Sequence, residues 1–209
     1  MKEKILQLPL SEETVRELNI GDIVYFNGIL FTGRELFYIR AVEENIIPTI
    51  DFNLINLMFH VGPVVKKVDR EWKIVSMTPT TSIRFEKNAS VCIKKLHTRA
   101  IIGKGTMGTK TMKIMRKEGC VHLCGVGINA NVLATQVEKV LDVFYLDKIG
   151  PTEATWVMKV NNFGPFLVDI DSKGNNYFDT VNQKAKKKLQ DILKNNGINE
   201  NFEYTPIHN

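Results

Sequence analysis

A short β-like run followed by a turn and a helical pattern occurs twice between residues 73 and 117, and this repeat is the strongest constraint on the fold. The runs are Lys73-Ile74-Val75-Ser76-Met77 and Ala100-Ile101-Ile102; the helical patterns span Ser82 to Leu96 and Thr109 to Lys117. Strands alternating with helices specify an α/β layer. In such a layer, side chains and free N–H groups at strand-to-helix turns converge on one edge of the sheet, where anions bind. The first turn reads Thr78-Pro79-Thr80-Thr81-Ser82-Ile83-Arg84 and the second Ile102-Gly103-Lys104-Gly105-Thr106-Met107-Gly108. Hydroxyls with a guanidinium, and a lysine held between glycines, suit a small, multiply charged anion; a dicarboxylate is the best match.

The flanking segments extend the same architecture. Residues 5–10 read as an opening strand, with Ser11 capping a short helix through Leu18 whose first turn carries Glu12 and Glu13, where the helix dipole favours them. The β-rich run Ile23 to Phe31 is broken by Asn27-Gly28, which predicts a hairpin. Arg34 precedes a helical pattern over 35–44, so it sits at a helix start, where a cation is unfavourable unless an anion joins it. Residues 45–70 are loop-rich, with a buried strand over 53–60 ending in a hydrogen-bonded His60. After a strand around Cys120 to Val126, the pattern predicts a helix through Val140. Strands over 143–146, 156–160 and 166–170 follow, then a lysine-rich helix from about Phe178 to Asn195. A single domain over 1–195 with a frayed tail over 196–209 is expected.

Composition narrows the function classes. The 209 residues carry 28 basic and 23 acidic side chains, a formal charge of +5, which suits an acidic ligand but is too mild to select nucleic acid. The run Lys184, Lys186, Lys187 and Lys188 lacks interleaved aromatic residues and reads as a solvated helix face. No apolar run approaches the roughly 20 residues of a membrane span, and the opening residues lack a secretory pattern, so a cytoplasmic chain without membrane or nucleic-acid partners is expected. The three cysteines, Cys92, Cys120 and Cys124, are odd in number, against a disulfide framework. Cys120 and Cys124 share a strand face about 13 Å apart at strand rise, too far to share one small cluster. Buried core thiols are expected, and no metal held by this chain.

Familiar phosphate motifs fail on spacing. A Walker loop needs glycine five residues before the Gly103-Lys104 pair, and that position is Thr98. Gly125-Val126-Gly127 lacks the third glycine of a dinucleotide turn, position 130 being alanine. Helix capping accounts for one of the three hydroxyls at Thr80-Thr81-Ser82. Three in a row with Arg84 one turn on exceed that need.

These pieces, in order and at family-like spacing over roughly residues 5–180, resemble the β subunit, or fused C-terminal domain, of class I iron–sulfur fumarate hydratase and L-tartrate dehydratase. The matching segments are Gly28 to Glu35 with its Thr-Gly-Arg, His60-Val61-Gly62-Pro63, Pro79 to Arg84, Ile102-Gly103-Lys104-Gly105, Gly119 to Leu123, and Trp156 through Asn175. The resemblance implies a swivelling β/β/α domain, with a mixed sheet and flanking helices. It implies reversible hydration of fumarate to (S)-malate, with L(+)-tartrate dehydration as the alternative. It also implies that this chain is half an enzyme, partnered by an α subunit in a heterodimer or heterotetramer. That subunit carries a [4Fe–4S] cluster whose open iron acts as a Lewis acid. Carried over residue by residue, Arg34, Arg84 and Lys104 bind substrate carboxylates, Thr81 adds a hydrogen bond, and Thr80 transfers a proton together with an aspartate of the α subunit.

The chain departs from the family pattern at four places. Thr78 replaces the usual glycine before Pro-Thr-Thr, Glu35 and Tyr38 replace the aspartate and histidine that follow Arg34, and Phe85-Glu86 replaces Met-Asp after Arg84. A replaced histidine at Tyr38 is expected to change how Arg34 is oriented. Two other functions compete: a stand-alone anion- or partner-binding module without chemistry, and, third, a nucleic-acid role resting on charge alone.

Overall fold

The computed structural model describes residues 2–125, 127–199 and 202. The chain runs β1 (Glu3–Gln7), α1 (Glu12–Arg16), β2 (Ile23–Thr32), α2 (Glu35–Val42), β3 (Leu57–Phe59), β4 (Val64–Val68) and β5 (Glu71–Ser76). A 3-10 turn over Ser82–Phe85 leads into α3 (Glu86–Lys95), then β6 (Ala100–Gly103), α4 (Thr109–Glu118) and β7 (Val121–Gly125). The last part is α5 (Ala130–Thr135), β8 (Val137–Phe144), α6 (Leu146–Ile149), β9 (Thr155–Ile170) and α7 (Tyr177–Asn195). The result is a mixed α/β fold with flanking helices, as the alternation in the sequence predicts.

One mixed sheet, ordered β1-β2-β3-β6-β7-β9-β8, carries the domain. Strands β2, β3, β6 and β7 run parallel, in register Phe31↔Met58, Met58↔Ile101 and Ile101↔His122. β9 is antiparallel to β7 and also to β2, so the sheet closes on itself as a barrel of β2, β3, β6, β7 and β9. Because side chains alternate across a strand, closure creates two cores. Leu57 and Phe59, Ala100 and Ile102, Val121 and Leu123, and Trp156, Met158 and Val160 fill the barrel. Met58, Ile101 and Val157 face outward, onto Phe37 and Tyr38 of α2, Ala89, Cys92 and Ile93 of α3, and Met115 of α4. Parallel strands buried on both faces read as continuous apolar runs, which is how these appear in the sequence.

Several expected elements are redrawn by tertiary contacts. The predicted hairpin at Asn27-Gly28 is a continuous strand: β2 pairs with β9 along its length and takes two register shifts on the way. Gly28 is needed there for close approach, since a Cβ would lie 2.8 Å from Leu8 Cβ at a backbone φ of +124°. The helix predicted through Val140 stops at Thr135, and Val137–Phe144 forms edge strand β8. There the Gln136 amide both accepts from and donates to the Gly164 backbone, and β-branched residues pair with β9. The two strands predicted over 156–170 are a single sixteen-residue strand. β4 and β5 form a separate hairpin turned by Asp69 and Arg70, both at positive φ, with Trp72 packed edge-on against Trp156. β4, hidden in a stretch read as loop, is an addition.

Other expectations hold. Ser11 caps α1 by accepting from the Thr14 N–H, and Gly119 closes α4 at φ +66°. α7 is exposed along most of its length, lysines included. Residues 196–199 wrap its end, Ile198 N–H donating to Leu193 O. The remainder of the predicted tail, apart from Phe202, lies outside the described residues, as do Met1 and the central residue of Gly125-Val126-Gly127.

Candidate functional site

The C-terminal ends of β2, β3, β6 and β7 lie along one edge, and each is followed by a segment marked in the sequence: Arg34, His60 to Pro63, Lys104, and the turn after Gly125. The Thr78–Ser82 segment is threaded between two of them. Thr80 N–H donates to His60 O at 2.6 Å, Lys104 N–H donates to Thr80 O at 3.0 Å, and Ser82 N–H donates to Lys104 O at 3.0 Å. Thr81 and Lys104 are therefore bridged like neighbouring strand residues. This brings Thr80, Thr81 and Lys104 together. Arg34 follows β2, two strands along the edge from Lys104, with β3 between them. Arg84 lies one turn beyond Thr81 and lines a small cavity of about 110 Å³ with Glu35, Tyr38 and Lys87.

The hydroxyls are divided in function. Thr81 occupies the cap position of the 3-10 turn but its side chain does not cap it. Among the described residues neither the Thr80 nor the Thr81 hydroxyl has a hydrogen-bond partner, and neither Lys104 nor Arg84 has an ion pair. Both threonines are half-buried; the two cations are exposed. Among the described residues, two free hydroxyls and the unpaired Lys104 thus lie at the Thr81–Lys104 bridge, with the unpaired Arg84 one turn beyond and lining a separate small cavity. Ser82, by contrast, is fully buried, its Oγ held by His60 Nδ1 and His122 Nε2, both at 2.9 Å.

Arg34 is at the start of α2, as expected, and the chain itself supplies the anion. Glu153 Oε1 lies 3.3 Å from Arg34 Nε, while Glu153 Oε2 accepts from the Leu36 N–H, so one carboxylate serves both the cation and the helix end. Arg34 Nη1 donates to Thr152 O and passes over Gly62, where a Cβ would come within 2.5 Å of the guanidinium. α4 is treated similarly. Glu86 accepts from the Gly108 and Thr111 N–H groups and the Thr111 hydroxyl. The expectation that free helix-terminal N–H groups receive the anion is therefore corrected: carboxylates of the chain occupy both helix starts, and side chains must do the binding. Residues 117 and 22 positions away carry these contacts, and no local pattern marks them.

Two departures from the family pattern acquire roles. Glu86 fixes the loop that carries Lys104, with Asn176 Nδ2 donating to Thr106 Oγ1 as a second tie. Tyr38 makes no contact with Arg34, which Glu153 and Thr152 hold instead. It turns inward, stacks on Phe85 and meets His60 Nε2 through its hydroxyl at 2.7 Å. His60, read as a hydrogen-bonded strand-end histidine, is that. Burial, and the nearby His122, hold its pKa well below the usual imidazole range.

The thiols behave as core groups. Cys92 on α3, Cys120 and Cys124 are each buried, and desolvation pushes the first and last up to about 12 and Cys120 further still. Among the described residues no group of three or more His, Cys, Asp or Glu side chains could hold a metal ion, and no helix is long and apolar enough to cross a membrane.

Together these observations describe a mixed α/β domain whose parallel strands carry cationic and hydroxyl side chains at their C-terminal edge. Comparison with known proteins specifies it further. The family described as "Fumarase C-terminus" matches residues 2–181, and the chain belongs to that family, the β subunits of fumarate hydratases and tartrate dehydratases. It is 38% identical over 187 residues to a Methanocaldococcus jannaschii protein provisionally named L(+)-tartrate dehydratase subunit beta, covering 88% of this chain and 95% of that one. It is 35% identical over 174 residues to the L(+)-tartrate dehydratase subunit beta of Escherichia coli K12, covering 83% and 86%. A protein of Geobacillus stearothermophilus provisionally named fumarate hydratase class I is 36% identical over 185 residues, which are 88% of this chain and 35% of that longer one.

Proposed function

We propose that this chain is the substrate-gripping half of a two-chain hydro-lyase acting on a four-carbon dicarboxylate, with fumarate and (S)-malate as the substrate pair. The carrying observation is the Thr80–Lys104 turn, where among the described residues Lys104 has no ion pair and the Thr80 and Thr81 hydroxyls have no partner, on a backbone pinned by three hydrogen bonds, with Arg84 one turn beyond. L(+)-tartrate is the second reading; the names carried by the full-length relatives favour it.

In this proposal Arg34 and Arg84 bind carboxylates through their planar forks, and Lys104 supplies a point charge beside Thr81. Thr81 Oγ1 donates to a substrate oxygen. Thr80 Oγ1 moves the proton at the carbon that does not bear the hydroxyl, together with an aspartate from the partner chain. A threonine hydroxyl is a weak acid, so this role depends on neighbouring cations that stabilise its charged form. The Glu153 contact keeps Arg34 extended along the edge before substrate arrives, which lowers the cost of binding. The cysteines here do not suit an iron–sulfur cluster, so the [4Fe–4S] group belongs in this reading to the α-type subunit. When bound there, it supplies Lewis acidity toward the substrate hydroxyl. Ile83, 48% exposed beside Arg84, agrees with a site that a second chain covers. A swivelling motion of this β/β/α domain against that partner completes the proposal.

The test is anaerobic turnover of fumarate and of L(+)-tartrate by this chain alone and after assembly with its α-type partner. Activity is expected in the mixture only, and Lys104→Ala or Arg34→Ala should lower it at least about a hundredfold, the scale for losing a preorganised charge contact. Near-normal turnover in both variants would remove the carboxylate assignment. An intact complex inactive on both substrates would leave a binding module.

A further inference from the structure

Beneath the Thr80–Thr81 turn lies a continuous line of buried polar side chains that the proposed chemistry does not use. Tyr38 OH is 2.7 Å from His60 Nε2; His60 Nδ1 is 2.9 Å from Ser82 Oγ; Ser82 Oγ is 2.9 Å from His122 Nε2; His122 Nδ1 is 2.6 Å from Asp169 Oδ1. His60, Ser82, His122 and Asp169 are all 0% exposed, and Tyr38 2%. The fold assembles the line from five elements. His60 extends β3 and His122 lies in β7, both on the helix-facing side of the sheet. Asp169 is the extra residue where β9 slips register against β7, pairing jumping from His122↔Ile170 to Leu123↔Val168. A bulge of this kind re-aims a side chain, here onto His122.

The chemistry of the two ends gives the line a direction. An ionised carboxylate only accepts, so His122 Nδ1 carries the proton and its Nε2 accepts. Ser82 must then donate to His122 and accept from His60, which therefore carries its proton on Nδ1. His60 Nε2 accepts from the Tyr38 hydroxyl. Every proton has an acceptor in this arrangement. In the reverse direction the Tyr38 proton has no partner among the described residues. Asp169 Oδ2 makes no hydrogen bond there either, so the carboxylate acts on the line through Oδ1 alone.

We propose that Tyr38, His60, Ser82, His122 and Asp169 form a one-way hydrogen-bond chain that fixes the Thr80–Thr81 turn against Lys104, making His60, Ser82 and His122 positioning residues for the site. Ser82 is the joint. Its side chain sits at the middle of the buried line between the two imidazoles, its N–H donates to Lys104 O, and His60 O accepts from the Thr80 N–H. The main chain on both sides of the free threonine hydroxyls is thus tied to the two imidazoles. Gly103 is the other half of the joint, because Ser82 Oγ stands where a Cβ at 103 would be. The positioning role rests on the reading of the patch as a hydro-lyase site; the direction of the chain does not.

The experiment therefore has two readouts. Long-range proton–nitrogen spectra of the whole chain labelled with nitrogen-15 in histidine report the tautomer of each ring without any activity. At neutral pH His60 and His122 should both be neutral and protonated on Nδ1. Asp169→Asn replaces the acceptor-only end by a group that can also donate, so both rings should shift toward mixed tautomers, including His60, which residue 169 does not touch. A charged ring or an Nε2–H tautomer in the native chain, or a change that leaves His60 unaltered, would overturn the directed chain. In the assembled enzyme Asp169→Asn should lower kcat about 10- to 100-fold, the scale of small misplacements in a site. Asp169→Asn together with Ser82→Ala should cost no more than Ser82→Ala alone. Unchanged kcat or additive losses would overturn the positioning role. Native protein inactive in the complex would instead remove the hydro-lyase reading and leave the tautomer result standing.

Discussion

Gly103→Ala is the substitution whose consequence the geometry fixes most tightly. A Cβ at this position would lie 1.7 Å from Ser82 Oγ and 3.1 Å from both Ser82 Cβ and His122 Nε2. No small adjustment resolves a 1.7 Å approach, so the Ser82 hydroxyl must leave. His60 Nδ1 and His122 Nε2 then stay buried without partners. Each such loss costs about 1–3 kcal/mol, about 2–6 kcal/mol for the pair. Reduced freedom of the unfolded chain returns about 0.4–1 kcal/mol, because φ at 103 is not positive. The expected net destabilisation is about 1 to 5.6 kcal/mol. For a domain of this size, the midpoint of about 3 kcal/mol corresponds to a Tm lower by about 6–12 °C. Urea denaturation of the isolated chain, followed by far-ultraviolet circular dichroism, measures it. Ser82→Ala should have a similar cost, and Gly103→Ala/Ser82→Ala should be close to Ser82→Ala alone, since the obstructing oxygen is gone. A Gly103→Ala chain as stable as the native one, or a double variant showing the full sum, would refute this account. Gly105→Ala is the contrast: nothing lies within 4 Å of its Cβ, and only its φ of +76° adds a penalty of about 1–2 kcal/mol.

Two further outcomes follow from titration. His60 has its pKa lowered by burial, so below about pH 6.5 the unfolded chain binds a proton that the native chain refuses. Stability should therefore fall by about 1.4 kcal/mol per pH unit on this account as pH drops from 6.5 toward the lowered native value; a His60 ring titrating near 6.5 by NMR would contradict it. The three thiols, raised by desolvation, should resist a disulfide reagent at pH 8 and react together once the chain is unfolded in urea; prompt labelling of any one in the native chain would show its burial to be wrong.

What proved legible in the sequence was whatever depends on local patterning. The strand–turn–helix patterns around Thr78–Arg84 and Gly103–Gly108 placed Thr80, Thr81 and Lys104 at turns that do meet, but for a different reason than the pattern implies. Only Lys104 follows a strand of the parallel sheet, while β5 belongs to the separate hairpin and the Thr78–Ser82 segment is held between the ends of β3 and β6 by main-chain hydrogen bonds. Ser11, Gly119 and the lysine-rich helix were readable from local pattern alone: a cap, a left-handed stop and a solvated face are written within a few residues. The Asn27-Gly28 hairpin and the overlong helix after Ala130 failed where pairing decided. An Asn-Gly pair and a Val-rich stretch are compatible with two structures each, and β9 selected the extended one in both.

By itself, then, the sequence determined the alternation of elements, the identity of the cations and hydroxyls at the site edge, and the family to which they belong. Only the tertiary structure decided which groups stay free. Glu153 and Glu86 reach the starts of α2 and α4 from distant segments, and Tyr38, His60, Ser82, His122 and Asp169 become one line through the meeting of β3, β7 and the bulge in β9. The reason is physical: a cap or an amphipathic face is satisfied by neighbours in sequence, whereas a buried polar group is satisfied by whatever barrel closure brings within about 3 Å of it.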